Sequence, residues 1–246
     1  MYSFATYLLL FVVYSVLGWV LETTLGAIRK HKLVDRGFLI GPYCPIYGFG
    51  AVVMTMSLTR YLDDPLTVFL LAVVIAGLLE YFTSLVMEKI FRARWWDYSD
   101  KPFNIEGRVC LSYLVGFGLV ALLALYVLNP PIVAWINGLG ELKPLLAGIL
   151  GVLILVDFVI STVVLSSIRK EQKTNSAKKD NTEELTAEVR RILRARSWRH
   201  RRLVFAFPDV KLIVSKEKRR LFKSAKKLEK AKTREKPEQT TEDARI

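Results

Sequence analysis

Cysteine and histidine are scarce in this chain. Its 246 residues contain two cysteines, Cys44 and Cys110, and two histidines, His31 and His200. Two cysteines cannot staple a chain of this length, which excludes a disulfide scaffold. No His/Cys group has the spacing of a metal site, so no metal and no cofactor is implied. No Gly-x-x-x-x-Gly-Lys-Ser/Thr occurs, so the chain has no P-loop of its own. Patterns of nucleic-acid-binding modules are missing as well, which argues against nucleic acid as a partner. No paired nucleophile and base stands out, and this weighs against an enzyme without closing the question.

Charge is missing from long stretches. Five segments are apolar enough and near the ~20 residues that a helix needs to cross a bilayer: Phe4–Ile28, Phe38–Leu58, Leu66–Phe91, Val109–Val127 and Pro144–Ile168. The expected fold is an all-α, polytopic membrane helical bundle of about five spans. The second span opens on Gly37-Phe38-Leu39-Ile40-Gly41-Pro42-Tyr43-Cys44-Pro45-Ile46-Tyr47-Gly48. Two prolines and three glycines disfavour a continuous helix, so a broken or re-entrant start is expected, covered by protein or water. The first span has no basic n-region and is too long for a signal-peptide core.

What charge there is divides sharply. Residues 1–168, read as a transmembrane domain, hold 11 basic and 11 acidic residues, whereas residues 169–246 hold 25 and 12. The whole net charge of +13 therefore sits in a basic tail. Basic residues also crowd the loop after span one (Arg29, Lys30, Lys32, Arg36) and the loop after span three (Arg92, Arg94, Lys101, Arg108). The opposite loops hold only Arg60 and Lys143. The positive-inside rule then places the protein in the plasma membrane with the N-terminus outside and the tail cytoplasmic. Both cysteines fall near the cytoplasmic face, where thiols stay reduced.

In the tail, Asn181 and Glu184 form a capping pattern ahead of Leu185, Val189, Ile192 and Leu193, which share one helical face. Two apolar runs around Pro208-Asp209 read as a hairpin or an interfacial wedge. The lysine-rich stretch from Lys216 to Lys236 is suited to anionic lipid headgroups, at about 1 kcal/mol per basic residue near the surface.

Acidic residues inside apolar spans carry the functional signal, because each is costly unless paired or hydrated. Glu22 lies near the inner end of span one. Glu80, Ser84 and Glu88 follow at i, i+4 and i+8 on one face of span three. Asp157, near the middle of span five, has no evident partner in the sequence. Arg36 and Arg108 start spans two and four from the same side. Between spans three and four runs Trp95-Trp96-Asp97-Tyr98-Ser99-Asp100-Lys101-Pro102-Phe103-Asn104-Ile105-Glu106-Gly107-Arg108. Trp95 and Trp96 suit a membrane-surface belt, but Asp97, Asn104, Gly107 and Arg108 suggest a loop folded over a cavity mouth. The expected site is one polar cavity open to the cytoplasm, with Glu22, Arg36, Tyr43, Tyr47, Glu80, Ser84, Glu88, Trp96, Asp97, Asn104 and Arg108 as substrate-binding candidates.

Four of these segments together carry a resemblance: Glu22-Thr23-Thr24, Arg36 through Gly48, Glu80 through Glu88, and Trp95 through Arg108. In that order they resemble the putative ABC-transporter type IV family, bacterial integral membrane proteins labelled as transporter permeases, over roughly residues 4–168. The tail lies outside the resemblance. A permease without a P-loop implies a separate ATPase subunit, and so few spans imply a homo-oligomer or hetero-oligomer. Three functions stay open. One is a permease-like protein that binds or moves a cation or small solute. Another is an intramembrane enzyme acting on a lipid or lipid-linked substrate, with Glu80 or Glu22 as base and Arg36 and Arg108 holding an anion. The third is a non-catalytic sensor or scaffold.

Overall fold

The computed structural model describes residues 2–31, 37, 39–91, 93–175, 187, 191–192 and 211–212. Helix α1 runs Phe4–Lys30, α2 Pro45–Leu58 and α3 Pro65–Phe91, with a 3-10 turn at Thr59–Tyr61 after α2. Short strands β1 (Ala93–Arg94), β2 (Asn104–Ile105) and β3 (Val109–Cys110) lie in the connection to α4 (Leu111–Leu122). A π-helical segment, Leu123–Leu128, joins α4 to α5 (Asn129–Gly138), and α6 runs Leu142–Asn175. Strand β4 is Lys211–Leu212.

Among the described residues, four helical stretches are long and apolar enough to cross a membrane: Phe4–Ile28, Pro65–Phe91, Leu111–Gly138 and Leu142–Val164. The second expected span differs from them. Its helix is the 14-residue α2, about 21 Å at ~1.5 Å per residue and short of a ~30 Å hydrocarbon core. Pro45 stands at its first turn, where the missing N–H costs no helical bond. Ahead of it the chain is non-helical through Gly41-Pro42-Tyr43-Cys44. The fourth span is longer than expected. Proline normally removes a helical hydrogen bond and clashes with the carbonyl four residues back, yet the helix passes through Pro130-Pro131. The π segment just before them absorbs the misfit: the Asn129 N–H reaches back five residues to the Ala124 carbonyl. That carbonyl also accepts from the Tyr14 hydroxyl at 3.2 Å, which bonds the buried Asn129 Oδ1 at 2.8 Å as well. Asn129 Nδ2 in turn donates to Thr55 Oγ1 at 2.8 Å.

Helix α3 displays the environment it is built for. Leu66, Leu70, Val74, Leu78, Phe82, Val86 and Ile90 repeat every fourth residue on an exposed stripe. An apolar stripe of that length suits lipid and would be a liability in water. Val68, Ala72, Ala76, Glu80 and Ser84 repeat at the same interval on a buried stripe. Small residues there let neighbouring helices approach closely, and the stripe turns from apolar to polar toward the end of α3.

The same polarity divides the whole bundle. One apolar cluster joins Met54, Leu58, Val68, Ala72, Ala76, Ala121 and Leu125. Another joins Leu9, Leu10, Tyr14, Val133, Ile136 and Ala147. Both lie toward the end that carries the start of α1, α3 and α6. The buried charged residues Glu80, Arg108 and Asp157, with Ser84 and Ser161, lie toward the other end, whereas the buried polar residues of the first end, Thr6, Thr55 and Asn129, are uncharged. Helices α1 and α2 approach closely at Gly48, where a Cβ would overlap Ser15 Oγ and the Phe11 carbonyl oxygen.

The tail returns to the bundle at one described point. Lys211 and Leu212 pair antiparallel with Arg94 and Ala93, where the sequence suggested a hairpin or wedge around Pro208-Asp209. Of the expected amphipathic helix, Ala187, Arg191 and Ile192 are helical; its other residues and the Lys216–Lys236 stretch lie outside the described residues.

Candidate functional site

The polar end of the bundle is closed by the α3–α4 connection, which folds by local bonds. Asp97 Oδ1 accepts the Ser99 N–H at 3.2 Å and its hydroxyl at 2.5 Å. Asn104 donates to the Lys101 carbonyl at 2.7 Å and accepts the Gly107 N–H at 2.9 Å. Gly107 has φ +66, and a Cβ on it would meet Ser99 Oγ and Asp97 Oδ1, so only glycine fits this turn. The Gly107 carbonyl accepts the Tyr98 N–H at 2.8 Å, and β2 pairs with β3 in the register Asn104 to Cys110. Asp97 and Asn104 therefore shape the loop. Trp96 does so too, donating its indole N–H to the Arg108 carbonyl at 2.9 Å. Trp95, suggested as a surface anchor, is buried edge-on against Phe91.

This fold aims Tyr98 inward. Its hydroxyl donates to Glu80 Oε1 at 3.1 Å, and its ring stacks on Tyr113 of α4 with centroids 4.7 Å apart. Burial, and next the neighbouring Glu80 carboxylate, hold the Tyr98 phenol well above its ordinary value, so it remains a donor. Glu80 is 6% exposed, and its Oε2 is buried with no hydrogen-bond partner among the described residues. On α1, Glu22 Oε1 accepts the Tyr47 hydroxyl of α2 at 2.7 Å. Tyr47 meets Phe117 edge-on, one turn of α4 from the Tyr113 that stacks on Tyr98, so the Glu22–Tyr47 and Glu80–Tyr98 pairs flank the same stretch of α4. Four elements thus bring Glu22, Tyr47, Glu80 and Tyr98 together.

One turn further along α3 the chemistry changes from open to satisfied. Arg108 donates to Ser84 Oγ at 3.2 Å, pairs with Glu88 at 2.9 Å and Glu106 at 3.3 Å, and lies over the Tyr81 ring. Burial works against its charge, but the bonds to Glu88 and then Glu106 outweigh that and raise its pKa. Glu106 is held below the usual carboxylate range by the Tyr81 hydroxyl and then Arg108. Arg94 adds contacts to Glu88 at 3.4 Å and Asp97 at 3.5 Å. No hydrogen bond or ion pair joins Glu80 to Arg108 among the described residues; Ser84, one turn from Glu80, bonds Arg108 instead.

Asp157 has the partners that the sequence did not offer. Its carboxylate accepts the backbone N–H of Ile40 at 2.9 Å and of Gly41 at 2.7 Å, with the Ser161 hydroxyl at 2.9 Å. A helix-interior acid therefore satisfies backbone N–H groups of the non-helical segment that have no helical partner of their own. Tyr43 also hydrogen-bonds this carboxylate and does not join Glu80. The backbone of Cys44 is fixed separately, its N–H bonding the Ser15 carbonyl at 2.8 Å. Arg36 lies outside the described residues.

Tyr98, Tyr113 and Asp157 were not among the candidates. Tyr98 was visible in the loop motif as one aromatic among several, and only the loop's fold shows which one turns inward. Among the described residues, no group of three or more His, Cys, Asp or Glu is placed to hold a metal ion. Residues 9–162 match a family model described as Putative ABC-transporter type IV. No curated protein and no solved structure matches the chain.

Proposed function

Because the chain belongs to the putative ABC-transporter type IV family, membrane proteins related to transport, we propose that it is a permease-like subunit that binds a cationic solute at the Glu22–Glu80 site. One observation carries this reading: Glu80 is buried with one carboxylate oxygen unpartnered among the described residues. A buried acceptor left open costs about 1–3 kcal/mol, more when charged, and a bound cation would recover it. Arg108 bears on the choice of ligand. It would be the natural anchor for a phosphate or carboxylate, but it is already engaged by Ser84, Glu88 and Glu106. This favours a cation at Glu80 over a lipid-phosphate substrate.

In this reading the 37–44 segment and α2 form a re-entrant or short second span, giving about five spans. The N-terminus is outside, and the site opens to the cytoplasm beneath the Trp95–Arg108 loop. The basic tail meets anionic headgroups, ATP hydrolysis belongs to a separate subunit, and self-association completes the pathway. Native mass spectrometry of the full chain, released gently from its membrane, tests the proposal. A small cationic solute should travel with the wild type and be absent from Glu80→Gln. A phospholipid retained in a Glu80-dependent way would contradict it and favour the lipid enzyme.

A further inference from the structure

We propose that the site takes a primary ammonium group, so that the solute is a small organic amine. This rests on the cation-binding reading above and narrows it. The acceptors left open at the site decide which cation fits. Glu80 Oε1 is occupied by the Tyr98 hydroxyl at 3.1 Å, and Oε2 is buried without a partner among the described residues. The Glu80 carboxylate therefore offers a single open oxygen, and the Glu22 carboxylate and the Tyr47 and Tyr98 oxygens stand on separate residues.

That pattern discriminates among cations. A zinc-type site needs about three or four protein ligands, and no group of three or more acids, histidines or cysteines is so placed among the described residues; hydrated magnesium, which binds through one or two carboxylates, is separated by the titration below. A guanidinium binds best through both oxygens of one carboxylate, and Tyr98 already holds one of Glu80's. A quaternary ammonium has no N–H to donate and binds through aromatic faces. It would leave Oε2 bare, and one face of Tyr98 is covered by Tyr113. A primary ammonium is compact, with three donors that point to separate acceptors. One reaches Glu80 Oε2, one the Glu22 carboxylate, and one the oxygen of Tyr98 or Tyr47. The neighbouring Tyr113 and Phe117, the latter edge-on to Tyr47, give the alkyl chain an apolar wall.

The test is calorimetric titration of the full chain in detergent, near neutral pH and at fixed ionic strength. The chlorides of propylammonium, guanidinium, tetramethylammonium, sodium and magnesium are compared. Propylammonium should bind saturably and at least tenfold more tightly than any other, and Glu80→Gln should lose that binding. Tyr98→Phe frees Oε1 and restores a full carboxylate fork, so it should shift the preference toward guanidinium by at least threefold. That variant decides the question if Glu80→Gln does not fold. Guanidinium, tetramethylammonium or a metal ion binding as tightly as propylammonium would overturn the amine inference and leave the cation reading intact. An unchanged preference in Tyr98→Phe would overturn it as well. Absence of saturable binding by every cation would overturn both.

Discussion

Replacing Asp157 by asparagine keeps the side chain's volume and removes its charge. The carboxylate accepts from the amides of Ile40 and Gly41 and from the Ser161 hydroxyl. Hydrogen bonds to a charged acceptor contribute about 1.5–3 kcal/mol each, and neutral ones about 0.5–1.5. Asparagine turns one acceptor into a donor, so one backbone bond is lost and the others weaken, for a local cost of about 2–4 kcal/mol. Each 1.4 kcal/mol is tenfold in a local opening equilibrium, so amide exchange in the peptide covering 39–44 should accelerate about 30- to 1,000-fold. Exchange within α2 beyond Gly48 should hold steady, because its own ladder is untouched. Hydrogen-exchange mass spectrometry in detergent reads both peptides at once. Unchanged protection at 39–44, or uniform acceleration throughout α1 and α2, would refute the idea that Asp157 specifically fastens the broken segment.

Three further outcomes are expected. Gly48→Ala drives a methyl into Ser15 Oγ and the Phe11 carbonyl, and should destabilise the α1–α2 packing by about 1–3 kcal/mol in a thermal melt; adding Ser15→Ala should not rescue it, since the carbonyl stays. Asp64 caps α3 through the Leu66 and Thr67 amides and the Thr67 hydroxyl, and Thr67 holds its carboxyl below the usual range. A depressed folded pKa gives stability present above the unfolded value and lost as pH falls through the folded one, so Asp64→Ala should lower the melting temperature at pH 7 and make little difference once Asp64 is protonated below its depressed pKa. For topology, a cysteine introduced at Lys143 should react with impermeant maleimide from outside intact cells, and one at Lys178 should react only after lysis; the reverse pattern would invert the orientation.

The helices were legible because bilayer-length apolar runs leave few alternatives. The Glu80, Ser84 and Glu88 face was legible because helical geometry fixes it from spacing alone. What escaped depended on contacts between distant segments. Helical spacing could have offered Asp157 the Ser161 hydroxyl four residues on, but its Ile40 and Gly41 partners are backbone amides more than a hundred residues away, which side-chain chemistry cannot announce. The continuation of α4 into α5 through Pro130-Pro131 escaped because a π segment can reposition carbonyls, and the apolar Leu123–Leu128 run gives no sign of one. Glu80 and Arg108 were expected as one group. Spacing brought both to the same end of the bundle, but the turn at Gly107 decides that Arg108 meets Ser84 and Glu88 while Tyr98 meets Glu80.

If Glu80 is held buried for a ligand, it is not there for stability. The melting temperature of Glu80→Gln against wild type, both as purified full chains with no added amine, tests this most directly. Glutamine can still accept from the Tyr98 hydroxyl through its carbonyl, and it replaces a costly buried charge with a neutral amide. The Glu80→Gln variant is therefore expected to melt at the same temperature as the wild type or higher. A melting temperature lower by several degrees would make Glu80 a structural residue and contradict the account.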